Sequence, residues 1–285
     1  MSARTPHRTP HRSVLSVSVN GSGNAVERFT PLGPLIAISP TVSVVVPAKN
    51  EAKNLPHVFS TIPSWVHEIV LVDGHSTDGT PEVAKRLRPD VRVVHQRGKG
   101  KGDALAEGLA ACTGDIIVMI DADGSTDGHE IIRFVSALVS GADFVKGSRY
   151  LAGGGSADLT LSRRLGNSVL RWIVNRLFGT RYTDLCYGYN AVWARHVPLL
   201  RLDCDGFEVE TVMNIRAALA GLRVHEVPSF EQPRIHGESN LRAVRDGFRV
   251  LRTIMREWRG RRRFTASVPA VATVGAVAAD DRGAA

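Results

Sequence analysis

The first half of the chain alternates short apolar runs with longer stretches patterned for helices. Residues 42–46, 69–72, 91–94 and 116–120 are dominated by Val and Ile, and each is too short for a helix. Pro47 closes the first run, Asp73-Gly74 the second and Asp121 the fourth. A helical pattern begins near Glu51, and residues 81–87 and 103–111 are amphipathic over helical lengths. Further along, residues 144–148 read as a strand and residues 212–220 as a helix. Continuous apolar strands alternating with helices predict an α/β fold, with a Rossmann-like, mostly parallel sheet flanked by helices on both faces. In such sheets ligands bind beyond the carboxyl ends of the strands. Three of the four runs end there in polar or acidic residues: Asn50-Glu51, Asp73, and Asp121 with Asp123.

Asp121-Ala122-Asp123 is the most pointed of these ends. Two carboxylates one residue apart at a strand end suit a hard divalent cation, Mg2+ or Mn2+, which can hold a diphosphate and neutralise it as it leaves. An isolated Asp-x-Asp often does no more than open a turn, so the neighbouring motifs decide.

Those motifs run Val45-Val46-Pro47-Ala48-Lys49-Asn50-Glu51, Val72-Asp73-Gly74-His75-Ser76-Thr77-Asp78-Gly79-Thr80, Gly100-Lys101-Gly102 and Gly114-Asp115, followed by the Asp pair. Gly147-Ser148-Arg149, Asp184-Leu185-Cys186-Tyr187-Gly188-Tyr189, Phe207-Glu208-Val209-Glu210 and Gly237-Glu238-Ser239 come after it. In this order, over roughly residues 42–258, the chain resembles an inverting family 2 glycosyltransferase with a GT-A fold, in the dolichol-phosphate mannose synthase-like, polyprenyl-phosphate branch.

The resemblance implies a nucleotide-diphosphate sugar donor, GDP- or UDP-linked. Pro47, Ala48, Asn50 and Glu51 would line the nucleobase and ribose pocket, with Asp73 on the base or ribose. Lys101 would reach the nucleotide or diphosphate. Asp121 and Asp123 would be the base-side and metal-side carboxylates. Related synthases often carry Gln two residues after the second Asp, where this chain has Ser125; His236 is a candidate for the missing metal ligand. The Lys usual after Gly-Glu-Ser is Asn240 here. Asp78, just before Pro81, reads as a helix start.

The acceptor stays open between two chemistries. A polyprenyl phosphate needs no protein base, because its oxygen is already an anion, and Arg149 and Arg163, with Arg164 and Asn167 adjacent, match positions that hold the acceptor phosphate. A hydroxyl on a soluble small molecule or glycan needs a carboxylate base, for which Glu208 and Glu210 are the candidates. A nucleotidyltransferase is a weaker alternative, since residues 47–54 lack the glycine-rich basic loop that would hold a triphosphate.

Charge adds a third theme. Arg242, Arg245, Arg249, Arg252, Arg256 and Arg259 form one helical stripe, and Val244, Phe248, Leu251, Met255 and Trp258 another. From Arg242 to Arg263 nine arginines face two acids, so the segment carries +7 of the chain's net +8. Such a helix either lies on an anionic membrane surface or docks its apolar stripe on the domain. Nucleic acid is not the expected partner. Residues 266–279 are apolar over 14 residues and interrupted by Pro269 and Gly275, against about 20 for a spanning helix.

These readings divide the 285 residues into a disordered basic extension (1–40), a GT-A domain (41–241), the basic helix (242–263) and a disordered tail (264–285). The extension opens on Thr5-Pro6-His7-Arg8 repeated as Thr9-Pro10-His11-Arg12, unlike a signal peptide. Cys112, Cys186 and Cys204 have neither zinc spacing nor a disulfide pattern. A cytoplasmic protein, peripheral at the inner face of the membrane, is the expectation.

Overall fold

The apolar runs are strands, and the continuity of three of them follows from burial on both sides; the run at 91–94 forms a half-exposed edge strand. The structure is a computed structural model and describes residues 12–19, 25–32, 39–238 and 243–267. β1 (Arg12–Val19) and β2 (Ala25–Leu32) come first, and the other elements follow from residue 41 onward. In chain order they are β3 (Val42–Ala48), α1 (Leu55–Thr61), β4 (Glu68–Asp73), α2 (Thr80–Leu87), β5 (Arg92–His95), α3 (Gly100–Ala111) and β6 (Ile116–Met119). Then come α4 (Ile131–Val139), β7 (Phe144–Ser148), β8 (Gly155–Ser156), α5 (Leu161–Phe178), β9 (Asn190–Trp193) and α6 (Val197–Leu200). The last are α7 (Val209–Leu219), β10 (Val224–Pro228), β11 (Phe230–Glu231) and α8 (Ala243–Ser267).

Seven strands form one sheet in the order β10-β7-β9-β6-β3-β4-β5. All are parallel except β9, which runs against both β6 and β7. Alternate residues feed two cores. Val44, Val46, Ile69, Leu71, Ile116 and Val118 pack with Leu55 and Phe59 of α1 and Phe134 of α4. Val45, Val70, Val72, Ile117 and Met119 pack on the other face with Leu105 of α3 and Val212 of α7. Each fully buried Val, Leu or Ile contributes about 1.5–3 kcal/mol. A polar residue on either face would forfeit that, which is why these strands show no alternation. β3 continues through Pro47, beyond the expected end at Val46. Pro47 can stay in the strand because pairing with β6 ends at Val45 and Met119.

A third cluster joins α5, α7 and α8 through Val174, Ile215, Val250 and Ile254. It answers how the basic helix sits. α8 buries Val250, Thr253, Ile254 and Glu257, whereas Phe248, expected on the docking stripe, is 70% exposed. The physical reason is a buried ion pair: Glu257 accepts from Arg216 of α7 at 3.0 and 2.9 Å and fixes the helix rotation. α8 also runs on to Ser267, past the expected boundary at residue 263. Val244's side chain, and residues 239–242 with Asn240 and Arg242, lie outside the described residues. No helix among the described residues is long and apolar enough to cross a membrane.

Residues 1–40 are a separate unit. Where a disordered extension was expected, β1 (Arg12–Val19) and β2 (Ala25–Leu32) pair antiparallel, Arg12 opposite Leu32 and Val19 opposite Ala25. Leu15, Val17 and Val19 alternate with Ser16 and Ser18, the period-two pattern of a strand that the proline-marked duplication before it obscures. The Thr-Pro-His-Arg duplication, apart from Arg12, and residues 268–285 lie outside the described residues.

Candidate active site

A cavity of about 520 Å3 opens at the carboxyl ends of β3, β6 and β7. Pro47, Ala48 and Glu51 line it from the end of β3, Asp121 and Asp123 from the loop after β6, Arg149 from the end of β7, and Arg163 and Asn167 from α5. Lys101 and Glu210 close its floor. Ten of the residues singled out from the sequence therefore share one cavity.

The floor is an ion cluster. Lys101 Nζ lies 2.6 Å from Asp121 Oδ1 and 2.8 Å from Glu210 Oε1. Burial works against the ammonium, but the two carboxylates outweigh it and raise the Lys101 pKa. Burial raises the Glu210 pKa in turn, Lys101 opposing it and Asp121 adding to it. Gly102 explains the glycine flanking Lys101: its amide donates to Asp205 O at 2.9 Å, and a Cβ there would strike the Cys204 carbonyl. Backbone contact between α3 and the 204–205 loop thus brings Lys101 to the floor.

Gly188 completes the cluster without carrying a side chain. A Cβ there would lie 2.6 Å from both Asp121 Oδ2 and Lys101 Nζ. Gly188→Ala is therefore expected to destabilise the fold by about 1–3 kcal/mol, the usual cost of overpacking a filled site. A melting curve checks it: a variant that melts like the wild type would refute the close approach.

Above the Asp pair a loop is tied down. Arg234 Nη1 donates to Glu51 Oε1 at 2.8 Å, and its Nη2 lies 3.2 Å from Asp123 Oδ2. Asn54, buried, donates to Glu51 Oε2 at 2.5 Å and accepts from His236 N at 3.0 Å. Neither Arg234 nor Asn54 was singled out from the sequence, because what ties the loop down is the Arg234–Glu51 contact across 183 positions and the Asn54–His236 contact across 182. Burial raises the Glu51 pKa despite Asn54 and Arg234.

Four expected residues sit elsewhere. His236 packs its ring 5.8 Å from that of His57. Among the described residues no three His, Cys, Asp or Glu side chains group to hold a metal, so His236 does not join Asp121 and Asp123. Asn50, in the left-handed region at φ 57°, accepts from Thr77 N at 2.8 Å and does not line the cavity. Asp73, also outside the lining, accepts from Ser76 N at 3.2 Å and lies 3.3 Å from His95 Nδ1. Glu208 lies 3.6 Å from Arg249 Nε and is likewise outside the cavity. Asp78 accepts from Thr80 N at 3.0 Å, at the start of α2 as its spacing implied.

Arg149 departs furthest from a free phosphate ligand. Its Nε and Nη2 donate to Asp184 at 2.7 and 3.0 Å, Nη1 to Glu231 at 3.0 Å and Nη2 to Cys186 O at 2.7 Å. Four of the five guanidinium protons are thus committed within the chain. The ladder ties β7 to the 184–189 segment, so the two motifs that carry Arg149 and Asp184 are one structural unit. Burial pushes the Cys186 thiol up to about 12, in keeping with a packing residue.

The α5 end has capacity left over. Thr160 caps the helix by accepting from Arg163 N, and Arg163 Nη1 pairs with Asp158 at 2.9 Å. Asn167, 5% exposed, accepts from Leu185 N and Cys186 N at 3.2 and 3.1 Å. Its Nδ2 has no partner among the described residues. An unsatisfied buried donor costs about 1–3 kcal/mol.

The sequence model of glycosyl transferase family 2 matches residues 43–197, more than half of the chain. The chain belongs to glycosyltransferase family 2. Glycosyltransferase AglJ of Haloferax volcanii is 31% identical over 72% of this chain and 68% of its own. Dolichol-phosphate mannosyltransferase of Pyrococcus furiosus is 32% identical over 77% of this chain and 64% of its own. In fold, this glycosyltransferase is similar to glucosyl-3-phosphoglycerate synthase of Mycobacterium tuberculosis, solved with Mn2+, UDP-glucose and phosphoglyceric acid. That structure superposes with a TM-score of 0.59 at 23% identity, covering 77% of this chain and 80% of that one. The sheet and its flanking helices are the GT-A fold, and the nucleotidyltransferase alternative falls away with the family assignment.

Proposed function

We propose that this glycosyltransferase moves a hexose from a nucleotide-diphosphate sugar to a polyprenyl phosphate, with inversion at the anomeric carbon. Pro47, Ala48 and Glu51 hold the nucleoside end of the donor. The acceptor phosphate oxygen forms the new bond to the anomeric carbon as the bond to the diphosphate oxygen breaks on the opposite face. Arg163 and Asn167 hold the acceptor phosphate, and Lys101 holds Asp121 in position beneath the donor.

Asp121 and Asp123 offer hard oxygen donors and fit Mg2+ or Mn2+. Asp123 Oδ1 accepts a backbone amide, from Ser125 at 3.0 Å. A divalent ion held there would offset the charge of the departing diphosphate.

The observation that carries the reading is Asn167 Nδ2, a buried donor without a partner among the described residues, beside Arg163 on the cavity wall. An acceptor phosphate oxygen would satisfy it. The state of Glu210 supports the same choice, because a hydroxyl acceptor needs a base and Glu210 is paired with Lys101. The Pyrococcus furiosus relative is named for transfer to a dolichyl phosphate.

Nucleoside diphosphate release, measured over a panel of GDP- and UDP-sugars with Mn2+ and a short-chain polyprenyl phosphate, tests this. Release should depend on the lipid. Asn167→Ala and Arg163→Ala should each raise the KM for the lipid about tenfold, the worth of one or two charge-assisted hydrogen bonds. If a soluble alcohol supports turnover and the lipid does not, and Glu210→Gln abolishes it, the acceptor is a hydroxyl.

A further inference from the structure

α5 carries apolar side chains on two opposite sides. One side faces inward: Val174 is buried, with Leu170, Ile173 and Leu177 packed beside it. The other faces solvent. Leu161 is 82% exposed, Leu165 68%, Val169 50% and Trp172 66%. These four recur at spacings of four, four and three, one stripe about 16 Å long. A contiguous apolar stripe on a helix surface marks an interaction site, unlike scattered single residues.

The charge around it is one-sided. α5 holds four arginines and no acid, and α8, which packs beside it, holds eight arginines and two acids. The two helices therefore carry +10 of a chain whose net charge is +8, leaving the remainder at −2. Arg164 and Arg176 are exposed on α5, and Arg245, Arg249, Arg252 and Arg256 on α8, where Phe248 is exposed among them.

We infer that the outer face of α5, with the adjoining basic face of α8, is a docking surface for an anionic lipid bilayer. Leu, Val and Trp on one stripe enter the acyl–headgroup boundary, and the arginines meet the anionic headgroups. A second copy of the chain fits less well. A two-fold contact sets the same patch against itself, here an acid-free arginine helix against its own copy. The inference deepens the proposed function and rests on it in one respect: α5 also lines the cavity through Ser162, Arg163 and Asn167, so docking sets that end against the lipid from which a polyprenyl phosphate would come.

Co-sedimentation of the full chain with vesicles free of polyprenyl phosphate tests the surface alone. Vesicles of phosphatidylcholine with phosphatidylglycerol are compared with phosphatidylcholine only. The expected result is at least tenfold tighter binding to the anionic vesicles, lost by tenfold or more in Leu165→Asp and Trp172→Glu. Ile132→Asp on α4, a comparably exposed apolar position, should bind like the wild type. Absence of vesicle binding overturns the inference, and so does binding that both α5 variants retain. A dimer in light scattering that Trp172→Glu dissociates also overturns it, in favour of a second copy. Transfer to a water-soluble polyprenyl phosphate, assayed without vesicles, is read separately. Vesicle binding without that transfer leaves the surface standing and removes the acceptor, and transfer without vesicle binding does the reverse.

Discussion

Asp123→Asn is expected to lower kcat by a factor of about 10²–10³, the usual cost of losing one group that stabilises charge developing in a transition state. The substitution keeps the side chain's shape. It removes a carboxylate that lines the cavity and is 19% exposed, and Arg234 keeps its second partner, Glu51, at 2.8 Å. Folding should therefore be little affected. Initial rates of nucleoside diphosphate release across a Mn2+ titration check this, with a melting curve on the same sample. A loss that saturating Mn2+ does not repair, at near-normal stability, is the expected pattern. Turnover within about threefold of wild type would mean that Asp123 contributes under 1 kcal/mol, too little for the role assigned to it. Glu208→Gln makes the contrast. Glu208 lies outside the cavity, so its turnover should stay near that of the wild type.

Breaking the Arg149–Asp184 pair should have the largest effect on stability. Both side chains are nearly inaccessible, at 4% and 0% exposed. Removing one partner strands the other charge in the interior, which costs about 3–5 kcal/mol. For a domain of this size each kcal/mol shifts Tm by about 2–4 °C, so Arg149→Ala should melt roughly 10 °C lower. Arg149→Lys should recover only part, since an ammonium cannot bridge both Asp184 oxygens. Burial pushes the Asp184 pKa up, but the hydrogen bonds and charge of Arg149 outweigh it and the net shift is downward. A depressed native pKa adds stability above the ordinary carboxylate range and loses it as pH falls through the native value. Asp184→Asn should thus narrow its stability gap to wild type in acid. If Arg149→Ala instead melts like the wild type and only raises the KM of a phosphate-bearing acceptor, the guanidinium is a ligand after all.

The strands and the Asp pair were legible in the sequence because their causes are local. Val70 and Val72 are apolar in series because both faces of β4 are covered, and the run stops at the strand's carboxyl end, where the buried Asp73 accepts from Ser76 N. Asp121-Ala122-Asp123 likewise follows β6, and a strand end is where a parallel sheet places its ligands. Gly100-Lys101-Gly102 stood out in the sequence, but neither as the first turn of α3, which the pattern started at Asp103, nor as the floor of the site. Lys101 meets Glu210 across 109 positions, and no local pattern records that distance.

The remaining differences also come from long-range pairing. Arg149 and Arg163 looked alike as cations near one cleft. The fold brings Asp184, 35 positions on, against the first and leaves the second 26% exposed at the cavity wall. α8 has apolar residues on more than one face, so its periodicity cannot choose the buried one. Arg216, on another helix, makes the choice by pairing with Glu257, and Phe248 turns outward as a result. Local composition thus determines where the elements and their polar ends fall, since burial of a strand depends on its own side chains. Which charges remain available to a ligand depends on which distant residue packs beside each of them, and that exists only in the folded chain.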